Sequence, residues 1–246
     1  MRIKCVACEA LARTAYHGAA RSPHTIDIEL LRLGLHDTPA DLRQHLQDAI
    51  DRASAGAAYD AVVLLYGLCG KATDGVRARA VPVVLPRVHD CIAMFLGSRV
   101  RYQEEFSRCP GTYWYVADYI ERGRGSDAAS AIGGSSDDGI RKMQREFVDT
   151  YGAENAAYLM EVLGGWSRHY SRAVFIDMGI GGSGEAERVA RAEAERRGWT
   201  FERRSGDAGL VCRLLAGDWG DDFLVLQPGQ RVAESYDDGA IRASDG

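Results

Sequence analysis

Residues 59–66 read Tyr-Asp-Ala-Val-Val-Leu-Leu-Tyr, and they decide the fold class because no polar side chain interrupts the apolar run after Asp60. A strand of this composition is typical of a parallel sheet that is covered on both faces. Residues 81–86, Val-Pro-Val-Val-Leu-Pro, repeat the pattern, and residues 173–178 repeat it in the second half of the chain. Segments with helical character separate these runs. The chain is therefore predicted to be an α/β protein with mostly parallel sheets and helices on both faces.

The segments before residues 59–66 predict two helices. Residues 9–20 have helical character that is interrupted near Gly18. The second helix is expected to begin with Thr38 as N-cap and Pro39 at the first helical position. Its apolar residues recur at helical spacing and form one stripe: Leu42, Leu46, Ile50 and Ala53.

Residues 123–141 are rich in Gly, Ser, Asp and Ala, and they are predicted to form a flexible loop or an internal boundary. They separate an N-terminal α/β lobe, residues 1–122, which carries the cysteine site, from a C-terminal α/β lobe, residues 142–246, which begins with a helix. The two parts form either two Rossmann-like lobes around one site or one continuous domain. Residues 223–227 are the last predicted strand, and the polar tail from Ser235 is expected to fray.

The charge and hydropathy patterns argue against several functional classes. A net charge of −5 disfavours a nucleic acid or an anionic membrane as partner, because both require a basic face. No apolar stretch approaches the roughly 20 residues that span a bilayer, and no signal peptide is visible. We therefore predict a cytoplasmic protein whose six cysteines are buried residues, metal ligands or reactive groups rather than disulfides.

Three cysteines follow three predicted strands. Cys8 ends the first strand, Cys69 lies in the Gly-Leu-Cys-Gly turn after residues 59–66, and Cys91 lies in the Arg-Val-His-Asp-Cys run after residues 81–86. In open α/β sheets the loops at the carboxyl ends of the strands converge on the ligand. The three thiols are therefore expected to meet if their strands are parallel neighbours. Packing as a small hydrophobic residue is the alternative for each, and we adopt it for the other cysteines: Cys5, Cys109 and Cys212.

Three thiolates with one open coordination position are typical of a catalytic metal centre. The open position belongs to a free iron in a [4Fe-4S] cluster, or to water or a substrate thiol in a zinc site. We favour the cluster because three widely separated cysteines resemble cluster enzymes more than structural zinc sites. His89 is predicted to be catalytic as a proton carrier, with Asp90 orienting it. His89 would equally complete a Cys₃His zinc site.

Four further residues are predicted to bind a small anionic substrate. The Arg87 guanidinium suits a carboxylate or phosphate, which it can bind in a bidentate manner, and Ser98 lies shortly after the cysteine run. Gly181 and Gly182 lie in a glycine-rich turn between a strand and a helix, where backbone N–H groups can bind an anion. That turn has neither the dinucleotide-binding nor the P-loop spacing. A solvent-exposed helix face is the alternative for Arg87 and for the two arginines that follow Ser98, Arg99 and Arg101.

The same segments resemble the DUF1638 family of proteins of unknown function. The resemblance covers most of residues 1–120 and extends more loosely around residues 155–160. The matching stretches are residues 7–11 (Ala-Cys-Glu-Ala-Leu), 26–29 (Ile-Asp-Ile-Glu), 34–37 (Gly-Leu-His-Asp), 66–70 (Tyr-Gly-Leu-Cys-Gly), 86–92 (Pro-Arg-Val-His-Asp-Cys-Ile), 96–98 (Leu-Gly-Ser) and 111–114 (Gly-Thr-Tyr-Trp). The resemblance implies that Cys8, not Cys5, is the first cysteine of the site. It also implies, by association, a corrinoid methyltransferase system as partner.

Three functional hypotheses follow. The first is an enzyme that depends on a metal or an iron–sulfur cluster and acts on a small anionic molecule, with sulfur- or methyl-containing compounds as candidates. Its three cysteines are similar in arrangement to the cluster sites of desulfidases and quinolinate-synthase-type enzymes. The second is an accessory protein that handles a metal or a corrinoid for a methyltransferase. The third is a hydrolase in which one thiolate, paired with His89, is the nucleophile.

Overall fold

The computed structural model describes residues 1–56, 58–123, 145, 148, 152–153, 170–235 and 240–245. Its strands are β1 (Arg2–Cys8), β2 (Thr25–Leu31), β3 (Ala61–Leu65), β4 (Val83–Pro86), β5 (Thr112–Tyr115), β6 (Arg172–Asp177), β7 (Thr200–Ser205), β8 (Phe223–Leu226), β9 (Arg231–Glu234) and β10 (Ile241–Ser244). Its helices are α1 (Ala12–Arg21), α2 (Pro39–Ala55), α3 (Cys91–Leu96), α4 (Arg99–Arg108), α5 (Ala117–Arg122), α6 (Gly184–Arg197) and α7 (Gly209–Leu215). The chain forms two compact units, the first comprising Met1–Tyr102, Met178–Gly181 and Ser205–Gly246, and the second comprising Gln103–Asp177 and Gly182–Arg204.

The first unit is built on a five-stranded sheet with the order β2-β1-β3-β4-β8. The first four strands run parallel, and β8 pairs with β4 in the antiparallel direction. Every residue of β3 is buried, which is the pattern of a strand with helices on both sides. The predicted α/β class with a mostly parallel sheet is therefore confirmed.

Helices cover this sheet. One face, which includes Val62 and Leu64, packs against α2 through the predicted apolar stripe, all of which is buried. Helices α1 and α7 contact each other and cover the sheet as well. The predicted interruption of α1 near Gly18 is wrong, because the helix continues to Arg21. A Cβ at Gly18 would lie 2.9 Å from Leu215 Cδ1, so glycine here permits close packing of the two helices.

The chain continues in regular structure after the last predicted strand. Strands β9 and β10 form an antiparallel pair, and β9 also bonds to an earlier segment, with Gly75 N donating to Val232 O at 2.9 Å and Val232 N donating to Val76 O at 2.8 Å. Ile241 in β10 is completely buried. The expectation of a fraying tail is therefore wrong for residues 240–245, because burial of this apolar side chain anchors an otherwise polar segment; residues 236–239 lie outside the described residues.

The second unit contains a three-stranded sheet with the order β5-β6-β7, in which β5 and β6 are parallel. Aromatic side chains fill its core. The rings of Tyr113 and Tyr115 lie 5.2 Å apart, and Tyr113 contacts Trp199 at the same centroid distance. Phe175 of β6 belongs to the same cluster. The aromatic residues of β5 are therefore structural in this unit.

Some predictions fall on residues that the structure does not describe. The predicted loop at 123–141, apart from Gly123, and most of the helix predicted from residue 142 lie outside the described residues. The lobe boundaries at 122 and 142 stay a prediction, although the compact units assign Ser205–Gly246 to the first unit. No helix within the described ranges is both long enough and apolar enough to span a membrane.

Candidate functional site

The carboxyl ends of β1, β3 and β4 lie side by side, because these strands are parallel neighbours in the sheet. Ala7 of β1 lies opposite Leu65 of β3. The next residues along both strands, Cys8 and Tyr66, therefore reach this edge of the sheet together. The loop after β3 carries Cys69, and the loop after β4 leads to α3. The condition that the sequence sets for the three cysteines to meet, parallel neighbouring strands, is fulfilled.

The loops after β3 and β4 are bonded to each other through their backbones. Leu68 N donates to Val88 O at 2.9 Å, and Cys69 N donates to His89 O at 2.8 Å. Gly67 permits this approach, since a Cβ at that position would lie only 2.7 Å from Val88 O. The Tyr-Gly-Leu-Cys-Gly motif therefore holds Cys69 beside the His-Asp-Cys run.

Cys69 has a left-handed backbone conformation. Its φ is 46°, and Gly70 and Lys71 follow at 64° and 72°. A non-glycine residue in this region costs about 1–2 kcal/mol, and such strain is concentrated at functional sites. The buried Thr73 stabilises the turn, because its Oγ1 donates to Gly67 O at 3.1 Å. The local fold thus holds the Cys69 thiol in place at a cost in backbone energy.

Cys91 is the first residue of α3, and Asp90 caps that helix. One Asp90 carboxylate oxygen accepts from Ile92 N at 2.9 Å, and the other accepts from the Tyr102 hydroxyl at 3.1 Å. Burial raises the pKa of Asp90, while these hydrogen bonds oppose the increase. The contacts of this predicted catalytic residue orient the start of α3, and with it Cys91.

The three predicted cysteines share one environment, which we call the thiol cluster: Cys8, Cys69 and Cys91. Cys8 and Cys69 pack against the same hydrophobic core group, which includes Tyr66. Cys91 interacts electrostatically with both of the other thiols. The fold therefore brings together three side chains that are far apart in the sequence.

The surroundings of the thiol cluster favour protonated thiols. Burial, followed by the charges of Asp90 and Cys8, raises the pKa of Cys69 to about 12. Burial and the charges of Asp90, Cys69 and Cys8 raise the pKa of Cys91 well above its usual value. Both side chains keep some exposed surface, but the surrounding protein atoms desolvate them. A cation or a helix N-terminus lowers the pKa of reactive thiolates. Cys91 does lie at the start of α3, but burial and the charge of Asp90 outweigh the effect of that position on its pKa.

Two other predicted residues, His89 and Arg87, follow β4. The His89 side chain is exposed, and its carbonyl oxygen accepts the bond from Cys69. Arg87 Nε donates to Phe223 O at 3.2 Å, and its Nη1 donates to Ile241 O at 2.8 Å. Arg87 therefore ties β4 to β8 and β10, which is a structural task. Its role in substrate binding, like the proton-carrying role of His89, stays a prediction.

The remaining predicted substrate-binding residues also have structural explanations. Ser98 Oγ accepts from Val100 N at 3.1 Å at the start of α4. Gly181 has a φ of 77°, and a Cβ there would lie 3.3 Å from Arg13 Nε. Gly182 is exposed, with open space where a Cβ would stand. Anion binding by these glycines stays a prediction.

Tyr66 belongs to the site, although the sequence interpretation did not single it out. Its side chain is only 4% exposed, and its hydroxyl has no hydrogen-bond partner of normal geometry among the described residues. The Cys8 thiol is near enough for a weak interaction with this hydroxyl, and the charges of Cys69 and Cys91 also act on it. The signal was present, because a tyrosine that ends a buried aliphatic strand carries a hydroxyl to the ligand-binding edge.

The thiol cluster is not closed around a single ion. In the part of the chain that the structure describes, no three His, Cys, Asp or Glu side chains are already positioned to hold a metal ion. A tetrahedral zinc ion with Zn–S bonds of about 2.3 Å requires sulfurs roughly 4 Å apart. The thiols are near enough for their charges to interact, but they do not form a ready single-ion shell.

The fold and the site define an α/β protein with a cluster of desolvated thiols at the carboxyl edge of a parallel sheet. Residues 30–215 match the model of the DUF1638 family, which is described as a protein of unknown function. This match spans more than half of the chain, so the chain belongs to the DUF1638 family, as its motifs indicated. The matched region includes Cys69 and Cys91 and begins after Cys8. No curated protein and no solved structure matches the chain.

Proposed function

We propose that the thiol cluster holds a metal centre, and that the chain is an enzyme that binds a small anionic molecule at the open position of that centre. The observation that supports this proposal is the convergence of three cysteines from three neighbouring parallel strands. The carboxyl edge of such a sheet is where α/β proteins bind their ligands. Three thiolates also leave one coordination position for a substrate.

The electrostatics of the cluster support a cationic occupant. The charged groups that act on Cys69 and Cys91 are Asp90 and other thiols, and all of them raise the thiol pKa. A bound metal ion deprotonates its thiol ligands and offsets the repulsion among them. A thiolate nucleophile depends instead on a cation of the protein or a helix N-terminus that lowers its pKa, and the pKa of Cys91 is raised although it begins α3. The hydrolase hypothesis therefore has less support than the metal hypothesis.

Of the two candidate centres, we propose a [4Fe-4S] cluster rather than zinc. A cluster is larger than one ion, so its cysteine ligands stand further apart, as the unclosed thiol cluster requires. Cys8, Cys69 and Cys91 would hold three of its irons. When bound, the cluster would supply a Lewis-acidic iron for a sulfur- or methyl-containing anion. We place the protein in the cytoplasm, where thiols stay reduced.

An accessory protein that passes a metal or a corrinoid to a methyltransferase system is the second candidate. The partial exposure of Cys8, Cys69 and Cys91 favours it, because a partner can reach thiols at an open sheet edge. The two candidates differ in how firmly the centre is held. An accessory protein releases its metal to a competing chelator within the time of mixing, whereas an enzyme retains it.

The proposal is tested by metal analysis and visible absorbance of protein purified and reconstituted without oxygen. Wild type is compared with Cys69→Ser and with Cys109→Ser, whose cysteine lies in the second unit. We expect iron, acid-labile sulfide and a broad visible band in wild type and Cys109→Ser, and their loss in Cys69→Ser. Stoichiometric zinc in a colourless protein would show that the metal centre is a zinc site and not a [4Fe-4S] cluster. Wild-type protein without any metal would refute the proposal.

A further inference from the structure

We infer that the Tyr66 hydroxyl donates a hydrogen bond to the small molecule that the thiol cluster holds. The inference rests on the proposed function and extends it to the chemistry of the substrate. A molecule that satisfies Tyr66 carries an acceptor atom next to the atom that binds the metal. Anions with an oxygen, sulfur or nitrogen acceptor in that position fit this requirement, and simple alkyl groups do not.

The position of Tyr66 supports the inference. Tyr66 follows the last residue of β3, where the strand register brings it to the sheet edge together with Cys8. It belongs to the core group against which Cys8 and Cys69 pack. Cys91 is also near enough to contribute to the raised pKa of this hydroxyl. The hydroxyl therefore lies among all three proposed ligands of the metal centre.

The unsatisfied state of the hydroxyl supports a bound acceptor. Burying a hydroxyl without a hydrogen bond is unfavourable, and a thiol such as that of Cys8 is only a weak acceptor. A phenylalanine would fill the same space in the core without this cost. A ligand that accepts the bond explains why the site carries a hydroxyl.

Two tyrosines near Tyr66 in the first unit provide a comparison. The Tyr102 hydroxyl donates to Asp90 at 3.1 Å. Tyr59, at the opposite end of β3, hydrogen-bonds to Asp27. Both hydroxyls thus have a carboxylate oxygen as acceptor, whereas the Tyr66 hydroxyl has only the weakly accepting Cys8 sulfur beside it among the described residues.

The test uses cyanide as a probe on the full chain after anaerobic loading of its metal centre. Cyanide coordinates a metal through carbon and leaves its nitrogen as a hydrogen-bond acceptor. Wild type, Tyr66→Phe and the matched control Tyr59→Phe are compared for metal content, cyanide affinity and the infrared C–N stretch. The stretch is recorded in H₂O and in D₂O, and metal content is measured again after the titration.

We expect equal metal content in the three proteins. Cyanide affinity should fall about tenfold in Tyr66→Phe alone, the effect of one lost hydrogen bond to a charged group. Its C–N stretch should shift and lose the sensitivity to D₂O that the wild type shows. Equal affinity and an unchanged stretch in Tyr66→Phe would overturn the inference and leave the metal centre intact. Failure of the wild type to load any centre would overturn both proposals.

Discussion

Replacement of Gly67 by alanine tests how the two cysteine-bearing loops are held together. The Cβ of Gly67→Ala would lie 2.7 Å from Val88 O, 2.9 Å from Asp90 N and 3.0 Å from His89 C. All three atoms are backbone, so no side chain can turn away to make room. The loops must separate, and the hydrogen bonds from Leu68 N and from the next residue are the first to be strained.

The expected loss of stability is about 3 kcal/mol. Steric overpacking of this kind costs about 1–3 kcal/mol, and the two inter-loop hydrogen bonds contribute about 1 kcal/mol each. The smaller conformational freedom of alanine in the unfolded chain offsets about 0.4–1 kcal/mol of this loss of stability. For a chain of this length, about 3 kcal/mol corresponds to a decrease of roughly 6–12 °C in the midpoint of thermal unfolding.

Thermal and urea unfolding followed by far-ultraviolet circular dichroism measure this effect. Gly56→Ala is the matched control, because nothing lies within 4 Å of the Cβ position at the exposed end of α2. We expect that control to be neutral or slightly stabilised. We also expect folded Gly67→Ala to retain less metal than the control, since Cys69 moves with its loop. A Gly67→Ala protein within about 0.5 kcal/mol of wild type would show that the loops are not packed as described.

Three further predictions concern other parts of the first unit. Burial raises the pKa of Cys5 to about 12 from 9.0, so its contribution to the free energy of unfolding is full below about pH 9 and is lost as the pH rises toward 12. Cys5→Ala should reduce the fall of that free energy with pH by up to about 1.4 kcal/mol per pH unit, as measured in urea melts at several pH values. Ile241→Ala should destabilise the protein by about 2–5 kcal/mol in the same melts, and an unchanged stability would show that the Ile241 side chain is not buried. Asp90→Ala should lower the free energy of unfolding by about 1–2 kcal/mol in these melts, mostly because the N-cap of α3 is lost. Asp90→Asn should lower it clearly less, because asparagine is also a good N-cap residue.

The sequence predicts the elements whose patterns are local and strong. The uninterrupted apolar run of β3 and the stripe Leu42, Leu46, Ile50 and Ala53 of α2 each report burial directly, and the structure buries them as expected. The parallel direction of β1, β3 and β4 is indicated by the same runs, because buried strands between helices form parallel sheets, but the runs do not say which strands are neighbours. The approach of Cys8, Cys69 and Cys91 was therefore expected only on the condition that their strands are neighbours, and the structure supplies that order.

Other features depend on contacts that a local pattern does not contain. Strand β10 is short and mostly polar, and the burial of Ile241 arises only from its tertiary packing. The contacts of the Arg87 guanidinium with backbone carbonyls of β8 and β10 are of this kind, and its predicted role in substrate binding stays a prediction. Gly18 weakens a helix by propensity, but the structure uses it for close approach to α7. Asp90 was predicted to orient His89, whereas the structure shows that it caps α3 by accepting from Ile92 N.

Several unfavourable features lie together at one edge of the sheet. Cys69 has a left-handed backbone, Asp90 is a partly buried carboxylate whose pKa is raised by desolvation, and the Tyr66 hydroxyl lacks a partner of normal geometry among the described residues. Natural sequences are locally consistent with their folds except where function requires otherwise. The last two features become favourable if a cation with a hydrogen-bond acceptor beside it occupies the thiol cluster, because the cation offsets the negative charge of Asp90 and the acceptor satisfies the Tyr66 hydroxyl. The backbone strain of Cys69 remains, and it places the thiol at the site. The same argument implies that Tyr66→Phe raises the free energy of unfolding of the ligand-free protein and lowers its affinity for the ligand.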